Sequence, residues 1–284
     1  MKIHCLYRDF FLFLKMMNLD KDRWRSFKRL YYEKNRYFLS RVWIEYQDFS
    51  VKDIRNFVLS IKKKNYENIE NLLKVYDIEE NTKEIILRCK NLLHYPDICN
   101  IYLFIGFESP ATFILRYRKT PVICVALERA LERALERALG RGIVQFASFR
   151  LFPVLLSHRF CHYTQRIRKG ESDGTVLGSL IREGLAVYFA RQAYPDYDDP
   201  VYSFLSKDAY SYLEEHFEEV YEKALRGGND FDVFSFGADN SCHAASYIGY
   251  RILSDYIRNT GEERVEKLIE SENLIRETAG VLLH

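Results

Sequence analysis

The sequence predicts a mainly helical α+β protein with a small β-sheet placed ahead of a histidine-bearing helix. Three observations carry that prediction. Long stretches on both sides of the middle of the chain carry apolar residues at helical spacing. Two short runs, ICNIYLFIGF and PVICVAL, are rich in β-branched and aromatic residues and are bounded by Pro, Gly and Ser, as strands are. The stretch VLLSHRFCHYTQ, residues 154–165, sets His158 and His162 four positions apart inside an apolar helical run.

Residues 1–95 read as a helical region rich in Lys, Tyr and Phe. Ser50 followed by Asp53, and Asn81 followed by Glu84, each have the form of a helix start, a capping side chain three positions ahead of an acidic partner. Between them IENLLKVYDI has its apolar residues on one helical face. From Pro96 the composition shifts, and residues 98–127 read as a small sheet. Helices are expected over 149–168, 175–193, 204–226 and 242–259, broken by Gly170 and Gly174, by YPDYDDP and by RGGNDFDVFSFG. The chain then divides into a helical region, 1–95, and a second domain, 96–284. Within the latter, residues 126–141, ALERALERALERALGR, repeat one tetrapeptide and read as a helical surface insertion, or else as a partner-binding helix.

The 42 basic and 40 acidic side chains nearly cancel, so no broad positive field of the kind that binds nucleic acid is present. FFLFLKMM is too short to span a bilayer, and Arg8 and Asp9, directly ahead of it, break the stretch where a signal peptide needs an apolar core, so an intracellular, cytoplasmic protein is expected. The 6 cysteines form no CxxC pair, which argues against both a structural zinc site and a disulfide framework.

Chemistry concentrates in the histidine run. Residues i and i+4 project from one helix face, so His158 and His162 can reach one ion at about 2.0–2.1 Å. On the next predicted helix, LIREGLAVYFARQAY brings Glu183, a carboxylate able to complete a His, His, Glu set if the two helices pack together. Gly184, without a side chain, would let two helix backbones approach closely.

HRFCH followed by EGLA resembles the predicted zinc-dependent proteases of the gluzincin type, in which HExxH precedes a helix beginning EGxA by about twenty residues. The strand runs look like the small sheet of that family, and SYIGYRILSDYI is similar to its closing helix. The resemblance covers approximately residues 96–260 and implies a zincin-like domain with zinc held by His158, His162 and Glu183. It further implies an oxyanion-stabilising group, for which Tyr247, Tyr250 and His243 are the candidates.

One departure bears on mechanism. Where the family has its glutamate general base, which takes a proton from water and later delivers it to the leaving amine, this chain has Arg159. A guanidinium stays protonated and can do neither. Placed about 4 Å from a divalent ion, it would be repelled by roughly 8 kcal/mol at an effective dielectric near 20. Either Arg159 points away from the ion, or it replaces the ion by a forked pair with Glu183, in which case no cofactor is bound. Glu171 and Asp173 are weaker candidates for a substitute base. Three readings follow: a peptidase homologue with impaired or lost hydrolysis that binds a peptide or protein ligand, a weakly active zinc hydrolase, and a non-enzymatic helical interaction protein.

Overall fold

The computed structural model describes residues 1–17, 19, 22–95, 97–130, 151–170, 174–198, 202, 205, 207–226 and 244–281. Two compact units emerge, one formed by Met1–Ile85 with Asp97–Phe152 and the other by Ile86–Pro96 with Pro153–His284. The α+β, mainly helical class anticipated from the sequence is the one observed. Among the described residues no helix is long and apolar enough to cross a membrane.

The first unit opens with β1 (Lys2–Cys5) and continues through α1 (Tyr7–Met16), α2 (Arg23–Phe27) and α3 (Arg36–Ser40). Helices α4 (Val51–Ser60), α5 (Lys63–Tyr76) and α6 (Ile78–Leu92) follow, the last running on into the second unit. Two π-helical segments, Lys28–Tyr32 and Arg41–Tyr46, interrupt the early helices. Ser50 and Asp53 form the expected capping box on α4. Asn81 starts no helix: it lies inside α6 with its amide on the carbonyls of Tyr76 and Asp77. The preceding Asp77, at a φ of 49°, ends α5 in the left-handed conformation.

Strands β2 (Asn100–Phe104) and β4 (Thr120–Ala126) lie in the two aromatic and β-branched runs, and β3 (Thr112–Tyr117), which neither run covers, lies between them within the 98–127 region read as a sheet. The sheet has the order β1-β2-β4-β3, with β1 and β4 parallel to β2 and β3 antiparallel to β4. Strand β1 falls in the region expected to be helical. Its four residues owe their extended form to pairing with β2, about a hundred positions away, and short-range patterning carries no trace of such a partner.

Within the first copy of the ALER repeat, Ala126, Leu127 and Glu128 are buried and Arg129 is exposed. Ala126 ends β4, Leu127 is fully buried, and one oxygen of the buried Glu128 accepts from the backbone N–H groups of Gly106 and Phe107 at 2.6 and 2.7 Å. The next residue groups of that loop are held as firmly: Trp43 Nε1 donates to the Gly106 carbonyl at 2.9 Å, and Tyr31 donates to the Ile105 carbonyl at 3.0 Å. Residues 131–141 of the repeat lie outside the described residues.

The second unit is helical throughout: α7 (Phe152–Lys169), α8 (Val176–Ala193), α9 (Lys207–Glu215), α10 (Phe217–Arg226), α11 (Ala244–Thr260), α12 (Val265–Glu270) and α13 (Glu272–Val281). The helix expected over 204–226 is divided at His216 into α9 and α10. Gly170, at a φ of 80°, closes α7 by donating to the Arg166 carbonyl at 3.1 Å, and Thr175 caps α8 through the Gly178 N–H. Helix α8 is apolar on nearly every side, from Leu180 and Ile181 to Phe189 and Ala190, and is accordingly central. Its backbone meets that of α11, with Gly184 facing Gly249. The close approach that Gly184 permits is therefore with α11, and not with the histidine-bearing helix for which it was expected.

Candidate metal centre

The face of α7 that carries the histidines is a stripe at i, i+4 and i+7: His158, His162 and Gln165. The opposite side of α7 is held against residues that precede the sheet in sequence. Tyr95 sets its ring edge-on to Phe160 and Tyr163, and Arg168 donates to the Leu93 carbonyl at 3.1 Å. Cys161, three positions after His158, is buried, and burial pushes its thiol well above the ordinary range.

Helix α8 supplies Glu183 to the same point. Its two carboxylate oxygens stand 3.2 Å from His158 Nε2 and 3.1 Å from His162 Nε2, and the two Nε2 atoms are 2.9 Å apart. Among the described residues, this is the group of His, Cys, Asp and Glu side chains whose ligand atoms converge, all within 4.8 Å of one another. Zinc in a tetrahedral site holds its ligands at about 2.0–2.1 Å, which places those ligands about 3.3 Å from each other. The separations of 2.9, 3.1 and 3.2 Å, the last two to different oxygens of the one carboxylate, are shorter by only a few tenths of an ångström, and the donor set of two imidazoles and one carboxylate suits zinc. The residues fit the ion.

The electrostatics prepare the same chemistry. Burial lowers the His158 imidazole to about 4, against the opposing pull of Glu183, with the charge of Arg159 adding to the lowering. The ring is therefore neutral near pH 7, the form in which histidine binds metal. Burial alone would raise the Glu183 carboxyl, but the attraction of His162 and the close polar contacts with both imidazoles outweigh it and hold Glu183 well below the usual carboxylate range.

Two contributors were absent from the sequence reading. Ser246, on α11 and buried, donates to Glu183 Oε2 at 3.2 Å. Gln165 joins His162 Nδ1, at 2.8 Å, to the Arg182 carbonyl beside Glu183, at 3.0 Å. The i+7 spacing of Gln165 from His158 was a usable signal. Nothing in the sequence pointed to Ser246.

The remaining anticipated residues are placed as follows. Arg159 is half-buried on α7, rotated by about 100° from His158. The forked pair between Arg159 and Glu183 does not form among the described residues, because both Glu183 oxygens already face the imidazoles. Tyr247 donates to Glu214 at 3.2 Å and packs against Tyr210 and Phe217, burial raising its hydroxyl to about 12. Tyr250 lies beneath the Arg191 guanidinium, 4.7 Å from its ring centroid. His243, Glu171 and Asp173 lie outside the described residues.

Comparison with known proteins adds one match. The model of a family described as "Predicted Zn-dependent protease (DUF2268)" matches residues 147–276, the segment that carries His158, His162, Glu183 and Ser246. No curated protein and no solved structure matches the chain. Over that segment, the chain is similar to a predicted zinc-dependent protease family.

Proposed function

We propose that the chain is a zinc metallopeptidase homologue of the gluzincin type, with His158, His162 and Glu183 as the ligands, in which peptide hydrolysis is impaired or lost. The observation that carries the reading is the convergence of these three donors within 4.8 Å from two different helices. Similarity of residues 147–276 to a predicted zinc-dependent protease family supports it independently.

Bound zinc would supply Lewis-acid polarisation of a peptide carbonyl. The side chains define what the protein can add. His158 offers a neutral nitrogen donor and His162 a second imidazole, Glu183 offers a carboxylate that stays ionised, and Ser246 orients that carboxylate. At the position after the first histidine, where the gluzincin type keeps its glutamate to move protons, Arg159 can donate hydrogen bonds and cannot accept a proton. Peptide binding without efficient cleavage is the expected outcome.

The test has two steps. Protein purified without a histidine tag is analysed for zinc per chain, alongside His162→Ala. Zinc near one per chain that disappears in the variant upholds the site, and no zinc in the wild type removes it. Arg159→Glu is then assayed on unstructured peptides, with Glu183→Gln in the same background as the control. Hydrolysis that appears with the glutamate and vanishes with Glu183→Gln assigns the lost activity to Arg159. A well-folded, zinc-loaded Arg159→Glu protein without turnover refutes that assignment.

A further inference from the structure

We infer that Gln165 is a positioning residue for the metal centre: it fixes the tautomer of His162, so that the ring presents a bare Nε2 toward His158 and Glu183. The inference rests on the zinc reading of that site. It follows from the polarity of three groups in a row. The Arg182 carbonyl can only accept, so the Gln165 amide must turn its NH2 toward it, at 3.0 Å. That leaves Gln165 Oε1, an acceptor only, 2.8 Å from His162 Nδ1. Nδ1 must then carry the hydrogen, and in the neutral ring the lone pair sits on Nε2. Gln165 is buried, so water does not compete for these bonds.

The relay also joins the two ligand helices. Gln165 lies on α7 with His162, and the carbonyl it grips belongs to the residue immediately before Glu183 on α8. Arg182 is itself anchored, with Nε donating to Glu272 on α13 at 3.2 Å and a terminal nitrogen donating to the Gly170 carbonyl at 3.0 Å. Arg276 donates to the same oxygen of this buried Glu272 at 2.7 Å. The 2.8 Å contact lies within α7 and the 3.0 Å contact crosses to α8, so one amide links the protonation pattern of His162 to the backbone of the residue before Glu183.

Two measurements on the full chain decide it. The first is the ring tautomer of His162 by nitrogen-15 NMR in zinc-free protein, at a pH where the ring is neutral. Hydrogen on Nδ1 in the wild type, giving way to the Nε2–H form in Gln165→Met, supports the inference. Hydrogen on Nε2 in the wild type overturns it. The second is zinc affinity by competition with a chromophoric chelator. Gln165→Met should bind zinc 10- to 100-fold more weakly, and Gln165→Glu, whose carboxylate still accepts from Nδ1–H, should stay within a few-fold of wild type. Equal affinity in Gln165→Met, or an equal loss in Gln165→Glu, overturns the inference. A wild type that takes up no zinc refutes the reading of the site instead, and the NMR result then decides the role of Gln165 alone. Thermal unfolding of each zinc-free variant establishes that it is folded, and the wild-type spectrum decides the tautomer even where a variant is not.

Discussion

A Cβ atom built on Gly184 would lie 2.1 Å from the carbonyl oxygen of Gly249. The reverse contact is as tight, since a Cβ on Gly249 would meet the Leu180 carbonyl oxygen at 1.8 Å. Neither neighbour is a flexible side chain, so both helices would have to separate to admit a methyl group. This crossing sets the position of Glu183, the residue next to Gly184, and brings Ser246, one turn before Gly249, against its carboxylate. Gly184→Ala is expected to destabilise the second unit by about 3 kcal/mol and to lower the zinc content of whatever protein remains folded. Chemical denaturation followed by metal analysis checks both, and a variant as stable as wild type contradicts the crossing.

Zinc should stabilise the folded chain, because its ligands come from two helices that separate on unfolding. At about 100 times its dissociation constant, a ligand specific to the folded state contributes about 2.7 kcal/mol. For a unit of this size, that corresponds to a rise in melting temperature of about 5–10 °C. The rise should be reversed by a chelator and absent in His162→Ala, as calorimetric scans with and without zinc would establish.

Removing the hydroxyl of Ser246 isolates the support given to Glu183. Ser246→Ala should leave the fold nearly intact, at a cost of about 1 kcal/mol, while weakening zinc binding about tenfold. Competition titration against wild type reads the difference. An unchanged affinity would mean that the 3.2 Å contact plays no part in holding the carboxylate.

In the first unit the corresponding test is Glu128. Its carboxylate is the acceptor for two backbone N–H groups, at Gly106 and Phe107, and the second of these residues holds a φ of 47°. Glu128→Ala is expected to cost about 2–4 kcal/mol, since two buried donors lose a charged partner, and Glu128→Gln about half as much, since one acceptor oxygen remains. Urea unfolding of the two variants gives the comparison.

Much of this arrangement could be read in the sequence, for reasons visible in single residues. His158 and His162 were legible because helical spacing alone puts them on one face, and Glu183 because a short distinctive segment, EGLA, surrounds it. Strands β2 and β4 announced themselves through composition. Strand β1 did not, because its conformation is dictated by a partner distant in sequence. Ser246 was hidden for a related reason: it sits 63 residues from Glu183, and only the glycine crossing brings the two together. Asn81 misled because the capping pattern was complete, yet Asp77 had already begun the helix four residues earlier.

Glu128 was invisible in yet another way, since it has the same neighbours as Glu132 within a run of identical tetrads. That sameness has an evolutionary consequence. Loss or gain of a whole ALER unit through replication slippage would leave Ala, Leu, Glu and Arg at positions 126–129 unaltered, whichever copy was removed. The carboxylate that secures Gly106 and Phe107 is thus insured against changes in copy number, and the segment can vary in length by steps of four codons while its anchoring end stays the same.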